Sequence, residues 1–216
     1  MKDNYTQIAV ILDRSGSMQS VRQSTIDGIN EFFGSQKKQP GDADVLFIQF
    51  DDEYEVLFDG NLKDVPLLTN ETYVPRGWTA LNDAIGRTIN TIGSKLSSKP
   101  EDEKPLIVIV AIMTDGHENR SKEFTKAQVA EMIKHQREKY NWDFVFVGAN
   151  QDAIFEANRY NIEAKSAITY DANEKGLKNV MRSVTSYVGK RRTSLTARAS
   201  FTTEDRKNAI VKDDKV

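Results

Sequence analysis

Five oxygen-bearing side chains, spread along the chain, share a chemistry that their types alone make specific. Asp13, Ser15 and Ser17 alternate in the stretch "DRSGSM". Thr79 stands in "GWTAL" and Asp115 in "MTDG". Alternate positions of an extended loop point to the same side, so Asp13, Ser15 and Ser17 can present their oxygens together, and Gly16 lets that loop bend tightly. Carboxylates and hydroxyls are hard donors. They suit Mg²⁺, with Mn²⁺ or Ca²⁺ as alternatives, and suit zinc and copper poorly. The chain has no cysteine, and His117 and His135 are its only histidines, so thiolate sites and disulfides are excluded. Each residue also has a plainer reading. Asp13, Ser15 and Ser17 can cap a following helix, Thr79 can be the N-cap of the helix starting near Ala80, and Asp115 can be a turn residue.

The elements that must position these residues alternate between apolar runs and helical patterns. Strands are expected at Gln7–Leu12, Val45–Phe50, Tyr54–Phe58, Leu106–Met113 and Phe144–Val147, with a weaker one at Ala167–Tyr170. The run "LIVIVAIM" is continuous and β-branched, as a central parallel strand buried on both faces should be. Helical spacing marks Val21–Phe33, Leu81–Ile92, Val129–Tyr140 and Leu177–Val188, with a short helix at Asp152–Tyr160. Gly60 to Trp78 and Ser97 to Lys104 read as loop and linker. This order implies right-handed βαβ crossovers: an α/β, Rossmann-like, doubly wound and mainly parallel sheet. It should carry one antiparallel edge strand from the Tyr54–Phe58 hairpin and helices on both faces. In such sheets ligands bind where loops leave the carboxyl ends of strands, and all three polar stretches are expected there.

At these residues the sequence resembles the von Willebrand factor type A (VWA) family and its metal-ion-dependent adhesion site (MIDAS). The family pattern is Asp-x-Ser-x-Ser, then a distant Thr, then a distant Asp, and Asp13, Ser15, Ser17, Thr79 and Asp115 match it. The resemblance spans roughly Thr6 to Gly189. It implies that Ser15, Ser17 and Thr79 coordinate a divalent ion, with the aspartates acting directly or through water. It also implies that a protein partner supplies a Glu or Asp carboxylate to a vacant position; in some members that exchange shifts the last helix.

The expected function is therefore a metal-dependent protein-binding module rather than an enzyme. One alternative is a metal-dependent phosphoesterase, disfavoured because the chain has no GxxxxGK[ST] loop and no Asp-x-Asp pair after the first strand. The other is an assembly factor binding through its C-terminal tail. Around the site, Asp51 and Asp52 read as a charged hairpin turn and Asp83 as structural. Arg14, Trp78, His117, Glu118, Asn150 and Asp152 are candidate rim residues, Arg14 pointing outward toward an acidic partner.

The remaining expectations concern organisation. Residues 1–189 form the domain. Residues 190–216, with eight basic against four acidic residues, form a polar, flexible tail of charge +4, which leaves −6 on the rest of a chain whose net charge is −2. Nucleic acid is not the expected partner at that balance. No apolar stretch approaches the roughly 20 residues of a membrane span, and the N-terminus shows no signal-peptide pattern, which fits a cytoplasmic protein.

Overall fold

A computed structural model describes residues 2–150, 152–194 and 199–211. Its frame is a six-stranded sheet: β1 (Lys2–Asp13), β2 (Asp42–Phe50), β3 (Tyr54–Asn61), β4 (Pro105–Thr114), β5 (Asp143–Ala149) and β6 (Ala167–Tyr170). The spatial order is β3-β2-β1-β4-β5-β6. Every pairing is parallel except β2 with β3, the hairpin at the edge. The expected doubly wound architecture is thus the one observed, with α1 (Arg22–Lys37), α2 (Leu81–Ser97), α3 (Lys126–Tyr140), α4 (Ala153–Arg159), α5 (Glu174–Thr193) and α6 (Thr203–Ala209) around the sheet.

Alternation along β1 divides the core in two. Ile8, Val10 and Leu12 pack with Ile26, Ile29 and Phe33 of α1 and Val180 and Val184 of α5. Ala9 and Ile11 pack with Ile85 and Ile89 of α2, Val129 and Ile133 of α3, and Ala157 of α4. Both faces of β1 and β4 are therefore dry, as their continuous apolar runs require. The edge strand β3 is half-exposed along its length. A 3-10 turn over Gly16–Val21 precedes α1, so the loop after β1 leads directly into helix.

Capping marks most helix starts. Thr125 and Gln128 form a reciprocal capping box on α3, Asp152 accepts from Phe155 N at α4, and Asn173 accepts from Gly176 N at α5. The helix α2 has no such cap: its N-cap residue is Ala80.

The expected boundary after Gly189 and the reading of a flexible basic tail need correction. The helix α5 continues to Thr193, and Arg191 and Arg192 are 3% and 6% exposed. Arg191 Nε donates to Asp143 Oδ2 at 2.5 Å, while Arg192 donates to the carbonyls of Gln36 and Gly41. Arg206 donates to the carbonyls of Ala167 and Ala164. Ala199, Phe201 and Ala209 are buried, with the Phe201 ring 5.0 Å from that of Tyr187. A charge count registers these arginines as a solvated tail; Arg191 is instead paired with a carboxylate, and Arg192 and Arg206 donate to backbone carbonyls that strand and helix ends leave open. Residues 195–198 and 212–216, also assigned to the tail, lie outside the described residues. Among the described residues no helix is long and apolar enough to cross a membrane.

Truncating a buried aromatic ring costs about 3 kcal/mol, against about 0.5 kcal/mol for a surface change. Urea denaturation of Phe201→Ala should therefore show a loss of about 3 kcal/mol, and that of Ile210→Ala, at a half-exposed position, about 0.5 kcal/mol. Equal small losses would mean that the segment after α5 is not packed.

Candidate metal centre

Strands β1 and β4 are neighbours and end together, so their last residues meet. Asp13 closes β1 and is fully buried. Its Oδ1 accepts from Ser15 N and its Oδ2 from the hydroxyl of Thr114, the last residue of β4, both at 2.6 Å. Its carbonyl accepts from the Tyr73 hydroxyl at 2.7 Å. Burial pushes the Asp13 carboxyl up to about 7, although the Thr114 and Ser15 hydrogen bonds pull it down; the charge of Asp115 adds to the rise. Burial likewise raises Asp115, opposed by its bond from Ser17.

The two serines do lie side by side. Ser15 Oγ and Ser17 Oγ are 3.1 Å apart, and Ser17 Oγ donates to Asp115 Oδ1 at 2.6 Å. Thr79 lies close by, next to Gly116. Its Oγ1 lies 2.9 Å, and Ser15 Oγ 3.8 Å, from the point where a Cβ on Gly116 would sit. Asp13, Ser15, Ser17 and Asp115 are thus linked by hydrogen bonds at the carboxyl end of the sheet, and Thr79 lies beside them at Gly116. Among the described residues no three His, Cys, Asp or Glu side chains gather as a metal cluster, so hydroxyls make up the balance of this donor set.

The site also explains residues that the sequence left unassigned. At Gly116 any Cβ would crowd the Thr79 hydroxyl, so glycine keeps the space over the donors clear. In the sequence the "DG" pair reads only as a turn. Glu118 is more than a rim residue. Its Oε2 accepts from Asn82 N at 2.7 Å, placing a carboxylate at the start of α2, and its Oε1 accepts from Arg120 N and Ser121 N. That bond takes a free N–H at the start of α2, and Thr79 does not serve as its N-cap. Instead, Thr79 is held by its backbone: its N–H donates to Asn119 Oδ1 and its carbonyl accepts from Asn119 N. Asp83 accepts from the backbone N–H groups of Lys122, Glu123 and Phe124, which fixes the loop after Glu118.

Arg14 does not point outward. It is 5% exposed, with Nε 3.0 Å from Asp51 Oδ2 and Nη1 2.5 Å from Glu55 Oε2. Arg76 Nε is 2.9 Å from the same Asp51 oxygen. Asp51 lies in the hairpin turn, as expected, and there it is a buried anchor for two arginines. A guanidinium at this position has no need of an outside acid, because the β2–β3 turn and β3 supply Asp51, Glu53 and Glu55. Asp52 accepts from Trp78 N, and Gly77, at φ +65, gives it room: a Cβ there would lie 2.1 Å from Asp52 Oδ1. Asn150 accepts from Ala172 N and Asp152 caps α4, so both side chains serve their own loops. Trp78 is 59% exposed and Trp78, His117 and Arg120 form the open rim.

The model of the von Willebrand factor type A domain family matches residues 7–186. No curated protein matches the chain. Among solved structures it is similar to proximal thread matrix protein 1 from the mussel byssus, in its form with a zinc-occupied MIDAS motif (16% identity, TM-score 0.59, 86% of this chain and 46% of that one). It is also similar to the ArnB paralog VWA2 from Sulfolobus acidocaldarius (15%, 0.53, 84% and 44%). A third is the PilB minor pilin from Streptococcus sanguinis (11%, 0.56, 86% and 61%). The chain spans less than two thirds of each, and at these identities the likeness is one of fold. With the family model covering most of its length, the chain belongs to the von Willebrand factor type A domain family.

Proposed function

We propose that the chain is a divalent-metal-dependent protein-binding module whose MIDAS is formed by Asp13, Ser15, Ser17, Thr79 and Asp115. The observation that carries this reading is the meeting of Ser15, Ser17 and Asp115 within hydrogen-bond distance of one another, with Thr79 facing them across the space that Gly116 leaves clear. The donor set fits a hard cation. It holds only two carboxylates, both made less acidic by burial, and a nearby positive charge would reverse that rise. Mg²⁺ is the ion proposed, with Mn²⁺ or Ca²⁺ as alternatives; when bound it would supply fixed positive charge and a position open to a partner's Asp or Glu carboxylate. The zinc in the mussel protein's MIDAS supports a divalent ion in this fold.

The chain's own part is to hold the donors before anything binds. Thr114 and Ser15 N fix the Asp13 carboxylate, Ser17 orients Asp115, and Asn119 clamps Thr79. Arg14, beside Asp13, is kept away from the donors by Asp51 and Glu55. Exposed Trp78 stands next to Thr79 and offers contact area to a partner, as aromatic residues do at interfaces.

Two measurements test this. A ligand at 100 times its Kd stabilises the folded state by about 2.7 kcal/mol, or roughly 5–10 °C in Tm for a chain of this size. Saturating Mg²⁺ should raise the Tm by that amount and EDTA should reverse it. The shift should be lost in Ser17→Ala, whose side chain is exposed and whose removal leaves the core intact. No shift with Mg²⁺, Mn²⁺ or Ca²⁺ would exclude a metal centre. Asp13→Ala is a poorer variant, since it strips Ser15 N and the Thr114 hydroxyl of a buried acceptor at about 1–3 kcal/mol each.

For the partner, a protein captured from a lysate in Mg²⁺ should elute with EDTA, and Ser17→Ala should fail to retain it. Equal retention by the variant, in EDTA as in Mg²⁺, would contradict recognition through this centre.

A further inference from the structure

The exposed face of α5 carries a charge pattern that works against the helix's own stability. Glu174, at its first position, is its only acid, against six bases. Arg191 and Arg192 are buried on partners within the chain, which leaves Lys175, Lys178, Arg182 and Lys190 exposed. With Ser186 these four fall within about a third of the helix circumference and run about 22 Å along it. Lys178 stands three residues after Lys175 and four before Arg182, so like charges are neighbours, which weakens a helix. Lys175 also sits in the first turn, where the macrodipole opposes a cation. Among the described residues none of the four forms an ion pair, although the charge of Lys190 reaches Asp205. Other helices do pair such cations, Arg87 of α2 with Glu123 and Arg159 of α4 with Glu156.

Beside this row, where α5 packs on α1, runs an open groove of about 370 Å³. Glu31 and Gln39 line it from the α1 side, and Arg182, Thr185, Gly189 and Lys190 from α5. Gly189 has no side chain to fill it; the nearest atom to a Cβ there would be Gln39 Nε2, at 3.5 Å. Two cations against the one carboxylate of Glu31 leave the lining at +1. The chemistry therefore selects an acidic visitor. Among the described residues no large apolar side chain is exposed on α5, so the row is not the amphipathic face that lies in a membrane surface. Glu31, with exposed Asp27 one turn before it, sets negative charge alongside the row. A phosphate backbone, charged at every step, would be repelled there, whereas a helix can be acidic over α5 and neutral or basic over α1.

We infer that this row and groove dock an acidic helix of a protein partner, its carboxylates spaced three and four residues apart over Lys175, Lys178, Arg182 and Lys190. A helix lying along α5 has the same rise per residue, so one acidic stripe stays over the row for its full length. Charge complementarity carries the choice of occupant, and the small area of one helix face makes the contact weak and sensitive to salt. None of these residues belongs to the proposed metal centre, so docking here requires no ion.

The test is an NMR titration of the ¹⁵N-labelled full chain, in EDTA and again in Mg²⁺. The probe is a helical peptide of about 18 residues in which glutamates recur at three- and four-residue spacing among alanines. Saturable shifts are expected at the backbone amides of Arg182, Ser186, Gly189 and Lys190 in both conditions, and they should weaken as salt is added. Lys178→Gln and Arg182→Gln should each weaken binding roughly two- to fivefold, as loss of one exposed charge pair does. Neither should lower the Tm, because each removes a like-charge neighbour. Absent or non-saturating shifts would overturn the proposal, as would unchanged affinity in both variants. The same shifts with a peptide carrying glutamine in place of glutamate would overturn it too. Tighter binding to a short DNA duplex or to phosphatidylserine vesicles would assign the row to a phosphate-bearing partner and exclude the acidic helix.

Discussion

A carboxylate placed where water cannot reach it, at the point where two central strands end, is the constraint around which this molecule is arranged. Asp13 is fully buried, and desolvation outweighs the two hydrogen bonds that favour its ionised form. A group in that position asks for a positive charge. Its sequence neighbour Arg14 is the nearest candidate, and the fold denies it that role by tying it to Asp51 and Glu55. Among the described residues no ion pair reaches Asp13, so its burial is relieved either by a proton or by a cation from outside the chain. That is the physical basis for reading the convergence of Ser15, Ser17, Thr79 and Asp115 as an ion-binding arrangement rather than a set of caps and turns.

Precision at the site comes from backbone rather than from the donors alone. Arg76 N bonds to the Arg14 carbonyl, Ala80 N to the Asp51 carbonyl, and Asn119 N to the Thr79 carbonyl. Each bond ties one loop to another, so the separate stretches behave as one surface. Two glycines permit the approach for different reasons: Gly77 adopts a positive φ, whereas Gly116 contributes only the absence of a side chain. The acidic cluster of Asp51, Glu53 and Glu55 has a double effect. It holds Arg14 away from the candidate donors, and it fixes Arg76 in the loop that leads to Thr79.

How much of this was legible in the sequence depended on whether a signal was local. "LIVIVAIM" can only be a doubly buried strand, and it is the centre of the sheet. The hairpin at Tyr54 was readable from its polar turn and sits at the edge. The candidate residues stood out because their types and spacing are restrictive, and the fold brings Asp13, Ser15, Ser17 and Asp115 within hydrogen-bond distance with Thr79 nearby. Burial of polar residues was not readable. Arg14 looks like a surface residue until the β2–β3 hairpin places three carboxylates around it. Arg191, Arg192 and Arg206 read as a solvated tail because nothing local shows that the Asp143 carboxylate and the carbonyls of Gln36, Gly41, Ala164 and Ala167 lie within reach. The role of Glu118 was hidden for the same reason, since its partner Asn82 N lies on the far side of a long crossover.

The most direct examination of the central claim is crystallographic: diffraction from crystals grown with Mn²⁺, with anomalous differences recorded. The account predicts one strong anomalous peak among the oxygens of Ser15, Ser17 and Thr79, with at least the serine hydroxyls within roughly 2.0–2.6 Å of it. A fully occupied Mn²⁺ peak elsewhere with none here, or Asp13 and Asp115 compensated by a side chain of the chain itself, would contradict it.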